Sequence, residues 1–404
     1  MDNKRRVAVT GIGIISSVGI GKEEFWKSII AGKSGISEVT GFDTSIFRCH
    51  KGGEVKNFNP EDFIPKRKVK FLGRASQMAV AASILALSDA NLSLKNTSKS
   101  KIGVFVGTTN GERPLEELIQ IWAKGGLKDV DRQRILQSSV NNISANIGLY
   151  FKAKGQNCLF PTACAAANYA IGYGFDLIKN GELNYAIAGG VDVFSYLAFT
   201  GFQRIYAMSA DKCQPFDKNR KGMMLSEGAG ILFLEDLDLA IKRGANIYAE
   251  ILGYGLSCDA THPTAPDPDG IARAMEKALN EAGITYKDVD YINAHGTGTT
   301  LNDKVECLAI KKVFKERYKE VMVSALKSML GHAMGAASGI EAAATCMAVK
   351  EGIIPPTINF ETPDPECDID CVPNIARKKE INIALKNGFA FGGNNAILVI
   401  KKYA

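Results

Sequence analysis

The 404-residue sequence contains no apolar run approaching the ~20 residues that a helix needs to cross a bilayer. That excludes a helical membrane span. Repeated C-x-x-C pairs are also missing. The nine cysteines, at positions 49, 158, 164, 213, 258, 307, 346, 367 and 371, are scattered and odd in number. This argues against a disulfide framework and reads as a reduced, cytoplasmic protein. Cys367 and Cys371 form a C-x3-C pair, but no second ligand pair stands near them, so no metal is expected. Lys4-Arg5-Arg6 followed by an apolar stretch imitates a signal peptide, yet Thr10, Gly11 and Gly13 interrupt the stretch and no A-x-A site follows. Charge of one sign is scarce: 49 basic against 43 acidic residues leave +6, without a long basic run. Such a bias suits an acidic partner better than nucleic acid.

What is present is core. With 46% apolar residues the chain can bury a large interior, which excludes disorder, and its length suggests two or three domains. A strand is expected over 6–12, leaving through a glycine turn. Gly11-x-Gly13-x-x-Ser16 is one glycine short of a dinucleotide fingerprint and lacks the acidic residue that would complete it. Helices rich in alanine are expected over 76–90, 164–179 and 333–349, and strands over 101–106, 185–188, 229–234, 248–254, 290–294 and 396–400.

The order of elements repeats. Ile178-Lys179-Asn180-Gly181 has a counterpart in Val349-Lys350-Glu351-Gly352, and Glu227-Gly-Ala-Gly-Ile-Leu232 in Gly392-Gly-Asn-Asn-Ala-Ile-Leu398. Two halves, 1–245 and 246–404, therefore carry one α/β pattern each. Helices with so little charge must be buried on most sides. Those at 164–179 and 333–349 are expected between two sheets, their N-termini converging on a pseudo-twofold axis.

Candidate chemistry gathers at those N-termini. Cys164, in Pro161-Thr-Ala-Cys164, stands at a helix entrance where unpaired N–H groups and the helix dipole favour a thiolate. Histidine is scarce, with four in the chain. His295 opens a glycine- and threonine-rich turn after a strand, and His332 begins the second central helix. His50 reads as a surface-loop residue and His262 as part of a rigid loop or channel wall. Lys327 is placed to pair with Glu341 and orient His332. Asp303 and Glu306 are placed either to cap the next helix or to hold Lys327.

Cys164 in T-A-C, His295-Gly-Thr-Gly-Thr-x3-Asp303, Lys327-Ser-Met-x-Gly-His332, Glu341 and Phe391-Gly-Gly-x-Asn395 follow one another in a set that resembles the β-ketoacyl-acyl-carrier-protein synthases. The likeness is closest to the elongating type II, Cys-His-His branch of the thiolase superfamily, and covers essentially the whole chain. It implies a thiolase-like duplicated five-layered α/β/α/β/α sandwich that dimerises, as a homodimer or with a different subunit. No cofactor is implied.

By this resemblance Cys164 carries an acyl group delivered by an acyl carrier protein, with the backbone N–H groups of Cys164 and Phe391 as oxyanion hole. His295 and His332 would hydrogen-bond the oxygen on which charge develops as a malonyl thioester loses CO2. Thr297 and Thr299 match residues that hold the phosphopantetheine arm, Phe391 the gate, and Phe202 and Asn110 the acyl pocket. Arg67, Lys68 and Lys70 are candidates for docking the acidic carrier, alongside a merely solvated basic face.

Some positions depart from the family pattern. Ala390 precedes Phe391 where glycine is common, Asn110 replaces an apolar residue, and Tyr206 stands where a carrier-docking arginine is frequent, with Arg204 close by. These leave fatty-acid elongation and a type II polyketide or polyene pathway both open. A cysteine hydrolase with a Cys-His pair and a non-catalytic partner subunit are the readings from other classes.

Overall fold

A computed structural model describes residues 4–94, 97–112 and 114–403. In the first half, strands β1 (Val7–Ser16), β2 (Ile102–Gly107), β3 (Asn157–Phe160), β4 (Tyr185–Asp192) and β5 (Gly228–Asp236) lie in the order β3-β2-β4-β5-β1. In the second, β6 (Ala249–Cys258), β7 (Tyr291–Asn293), β8 (Met322–Ser324), β9 (Ile383–Phe389) and β10 (Asn394–Lys401) lie in the order β8-β7-β9-β10-β6. The permutation is the same, and so are the directions. The three strands at the β3 and β8 ends run parallel, and the next two pairings are antiparallel. The two sheets join where Val7–Val9 of β1 pairs antiparallel with Ala249–Ile251 of β6.

Three helices accompany each sheet: α1 (Arg74–Asp89), α2 (Asn142–Phe151) and α3 (Ala166–Lys179), then α4 (Pro268–Ala282), α5 (Thr300–Phe314) and α6 (Ala337–Glu351). α1 and α2 pack together on the outer face of the first sheet, and α4 and α5 pack together on that of the second. α3 and α6 touch each other and both sheets, completing five α/β/α/β/α layers. The sequence of α6 explains its place: Ala337 through Val349 is buried without a break, because small residues cover every side and leave no polar stripe for water.

Glycines on the strands set the layer spacing. A Cβ at Gly230 of β5 would lie 2.2 Å from the Ile340 nitrogen of α6. One at Gly190 of β4 would lie 2.3 Å from the Gly335 carbonyl oxygen. Each marks a close backbone approach. Gly11 and Gly13 belong to the same class, and the expected turn after residue 12 does not occur. β1 continues to Ser16, and a Cβ at Gly13 would meet the Ala82 carbonyl of α1 at 1.8 Å. Among the described residues no helix is long and apolar enough to cross a membrane, and all nine cysteines are free thiols.

Candidate active site

Both central helices begin in the same strained way. Ala163-Cys164-Ala165 forms a single 3-10 turn ahead of α3, entered by Ala163 at φ 49°. Met334-Gly335-Ala336 does the same ahead of α6, entered by Met334 at φ 53°. A non-glycine residue in the left-handed region is a strained position of the kind that collects at functional sites. Two such positions on equivalent turns set Cys164 and His332 against each other, with the sulfur 3.1 Å from Nε2 of His332. The remaining imidazole nitrogen, Nδ1, accepts the Met334 N–H at 3.2 Å. That bond leaves Nε2 as the protonated nitrogen and therefore the donor toward sulfur.

His295 follows β7 and meets the same cavity, its ring centroid 5.5 Å from that of His332 and 5.4 Å from Phe389. Its side chain has no hydrogen-bonding partner among the described residues, whereas its backbone is tightly held. Glu306 of α5 accepts the His295 N–H at 2.9 Å and the Gly296 N–H at 2.8 Å. Lys327 donates to the His295 carbonyl oxygen at 2.7 Å. The turn is closed from the other side by Asp303, which accepts from Gly298 at 3.2 Å and from Phe216 at 2.9 Å. Thus Glu306 and Asp303 both brace the backbone of the turn, and neither holds Lys327.

Lys327 is fully buried and lies 2.6 Å from Oε1 of Glu341. The other carboxylate oxygen, Oε2, faces a second buried ammonium, that of Lys386 on β9, at 2.8 Å. One carboxylate thus serves two cations. Burial lowers both imidazoles well below 6.5, and the Lys327 and Lys386 ammoniums reinforce the effect. Both rings are therefore neutral at pH 7. Burial also pushes the Cys164 thiol up to about 12, against the pull of Lys327. The helix entrance does not produce a resting thiolate here, because the sulfur is out of water. The site rests as a neutral thiol beside two neutral imidazoles.

A cavity of about 320 Å³ connects these groups to the surface. Cys164, His295 and His332 line its floor, and Thr297, Thr299, Phe202 and Phe391 its walls. The Thr297 and Thr299 hydroxyls are 2.9 Å apart, and the Phe202 and Phe391 rings 5.7 Å. His262 lines the cavity too, its Nδ1 accepting the Thr264 and Ala265 N–H groups at 3.1 Å. His50 is exposed on its loop.

The other expected residues lie outside this cavity. Asn110 does not line this cavity. It follows β2, its N–H donates to Asp192 at 2.8 Å, and its side-chain nitrogen is buried without an acceptor among the described residues. Arg67, Lys68 and Lys70 are likewise absent from the cavity lining. They lie in and just after a short helix, Lys66–Val69, where the Lys68 ammonium sits 4.5 Å from the Tyr150 ring centre.

Sequence reasoning missed Lys386 and Asp192. The Asp192 carboxylate is fully buried and accepts from Thr108, from the Thr109 and Asn110 amides, and from the Gly335 amide at 2.6 Å. It ties the turn after β2 to the turn after His332. Burial raises it to about 6, opposed by those donors. Its position at the end of β4, directly before the loop leading to Phe202, was the only signal available.

Known proteins are similar to this chain in sequence and fold. Residues 4–240 match the family described as beta-ketoacyl synthase, N-terminal domain, and residues 248–361 match its C-terminal domain. The chain is 42% identical to a 3-oxoacyl-[acyl-carrier-protein] synthase 2 of Synechocystis sp., over 99% of both chains. Among solved structures, the ishigamide ketosynthase/chain length factor is 43% identical with a TM-score of 0.96, over 99% of this chain and 100% of that one. A type II polyketide acyl-carrier protein in complex with its ketosynthase, bound to the hexaketide, gives 32% and 0.92 over 100% of both chains.

Proposed function

The chain belongs to the beta-ketoacyl synthase family, and on that premise we propose that it condenses an acyl group held on Cys164 with a malonyl thioester, most simply in fatty-acid elongation. The observation that carries this reading is one cavity floored by a thiol and two neutral imidazoles.

In the first half-reaction Sγ of Cys164 attacks the carbonyl carbon of an acyl thioester. The donor C–S bond breaks, the phosphopantetheine thiol leaves with the proton surrendered by Cys164, and the acyl group stays on sulfur. The His332 Nε2–H stabilises the sulfur charge formed during attack. The backbone N–H groups of Cys164 and Phe391 receive the tetrahedral oxyanion, and among the described residues the Phe391 N–H has no acceptor in the chain.

In the second half-reaction a malonyl thioester occupies the same cavity. Its bond to the carboxylate breaks, CO2 leaves, and the electron pair enters an enolate whose oxygen accepts from His332 and His295. Neutral imidazoles suit this role because each donates a hydrogen bond without surrendering a proton. The enolate carbon then attacks the acyl-cysteine, C–S cleavage frees the Cys164 sulfur as a thiolate that takes up a proton from solvent, and a 3-oxoacyl thioester departs.

Thr297 and Thr299 hold the phosphopantetheine arm, and Phe391 with Phe202 frames the acyl group. The partner is an acidic acyl carrier protein, with Arg67, Lys68 and Lys70 as its docking candidates, and the reaction is cytoplasmic. Exposed apolar side chains at Ile119, Trp122, Leu136 and Leu149 support burial of this region of the chain in a subunit interface. A second copy of the chain is the simplest occupant. A different subunit is the alternative, in keeping with the two-part name of the ishigamide protein.

That likeness, together with Asn110, also supports a second reading with the same chemistry in a polyketide or polyene pathway. A panel of saturated and polyunsaturated acyl-carrier donors separates the two, since elongation of fatty acids predicts preference for the saturated set. A cysteine hydrolase would need His332 as base, but both ring nitrogens are committed, one as donor to sulfur and one as acceptor from Met334. The condensing reading is tested by offering malonyl-carrier protein alone: it predicts CO2 release, whereas a hydrolase releases free malonate.

A further inference from the structure

On β9, Ile383, Leu385 and Phe389 pack outward against the layer of α4 and α5, so Lys386 points inward, between the sheets, on the same side as Ala384. It is fully buried there. An ammonium in such a place is costly unless paired, and a methyl-bearing residue would ordinarily serve the fold better. Among the described residues its one anionic contact is Glu341, which is shared with Lys327. One carboxylate thus contacts both cations, and Glu306, on the other side of β9, also acts on the Lys386 charge. The next residue, Asn387, faces the opposite way and donates to Glu306 at 2.9 Å, the carboxylate that holds the His295 turn. The carbonyl of Lys386 accepts from Asn168 of α3, the nucleophile helix, at 3.2 Å. One dipeptide therefore touches the supports of His295 and of Cys164.

We propose that Lys386 is a positioning residue for the decarboxylating half-reaction: it clamps Glu341 so that Lys327 stays fixed on the His295 carbonyl, and it adds a second buried positive charge beside the two imidazoles that the enolate meets as it forms. This rests on the condensing-enzyme reading and adds to it a residue acting through Glu341 and Lys327. No bond to Lys386 forms or breaks. The electron pair left by departing CO2 collects on the thioester oxygen, and the cation stabilises that charge through the low-dielectric interior. The charged and titratable groups around it are Glu341 on α6, Lys327 at the entrance to that helix, Glu306 on α5, and the two imidazoles. Burial lowers Lys386 to about 8, with Glu341 pulling the other way and Lys327 adding to the fall. The cation is thus present at pH 7 and lost as pH rises through that value.

The experiment compares the wild type, Lys386→Met and Lys386→Arg in the full chain. It measures acyl transfer to Cys164 by intact mass, and CO2 release from malonyl-carrier protein across about pH 6 to 9. Lys386→Met leaves Lys327 and Glu341 as a one-to-one pair, and its melting curve checks that it folds. The expected result is near-normal acylation with CO2 release lowered roughly tenfold at pH 7. The wild-type fall in kcat above about pH 8 disappears in that variant. In Lys386→Arg the rate recovers at pH 7 and persists above pH 8. A Lys386→Met enzyme with the wild-type rate and pH profile overturns the proposal. So does equal loss of both half-reactions without rescue by arginine, which is the mark of a merely structural residue. A wild type that accepts no acyl group refutes the condensing reading first, and this role with it.

Discussion

Sγ of Cys164 stands 3.1 Å from Nε2 of His332, although 168 positions separate the two residues in the chain. Each comes from one repeat: Cys164 lies on the short turn that opens one buried central helix, and His332 two residues before the matching turn that opens the other. Their meeting is thus a consequence of the duplication. The Met334 N–H on Nδ1 fixes which imidazole nitrogen faces the sulfur, and so makes His332 a donor.

Replacing His332 by alanine should separate the half-reactions. Acyl transfer to Cys164 is expected to fall only a few-fold, while CO2 release falls about 10²–10³-fold, the size typical of losing one donor to a developing oxyanion. Quench-flow mass measurement and CO2 release read the two steps. Equal losses would place His332 in the acyl step instead.

The pH dependence follows from burial. Cys164, pushed up to about 12, holds a thiolate fraction that grows with every rise in pH, so alkylation by iodoacetamide should climb steadily from pH 7 to 10 without a plateau. A plateau near pH 7 would mean that the helix entrance outweighs desolvation. The histidines give a second signature. Their folded values lie below 6.5 and their unfolded values do not, so the unfolded chain binds more protons in acid. Stability should hold above pH 6.5 and decline as pH falls below it, as denaturant titrations at stepped pH would show.

Glu341→Gln should be far more damaging to the fold than Lys386→Met. The first strands two buried ammoniums, at a cost of about 3–5 kcal/mol for an uncompensated buried charge. The second leaves Lys327 and Glu341 as a one-to-one pair and is expected to be neutral or stabilising. Urea unfolding of the two variants checks the order, and the reverse order would contradict the shared-carboxylate arrangement.

Gly230→Ala tests the layer spacing. Its new Cβ would fall 2.2 Å from the Ile340 backbone, which no side-chain rotation relieves. A loss of about 1–3 kcal/mol or more is expected from forcing the layers apart. Unchanged stability would mean that α6 is free to move away from β5.

That Cys164, His295 and His332 would share a cavity was legible because each sits beside a local signature. Cys164 and His332 precede alanine-rich helices, and His295 precedes a turn of glycines and threonines. The five layers were legible from helices with no polar stripe. Lys386 was not. It alternates with Ile383, Leu385 and Phe389, and alternation ordinarily places the charged partner in water. Only the second layer of helices, a tertiary fact, turns that face into interior. Asp192 was hidden for the same reason. The glycines of β1 misled because a glycine that admits a neighbouring backbone looks the same in sequence as one that makes a turn.

The account stands on Cys164 as the atom that carries the acyl group. Intact-mass measurement after mixing the full-length protein with an acyl-carrier donor reads this directly. The account predicts a gain of one acyl group on the wild type, removed by added malonyl-carrier protein as product forms, and no gain on Cys164→Ala. An acyl adduct that persists on Cys164→Ala, or a wild type that stays unmodified, would contradict it.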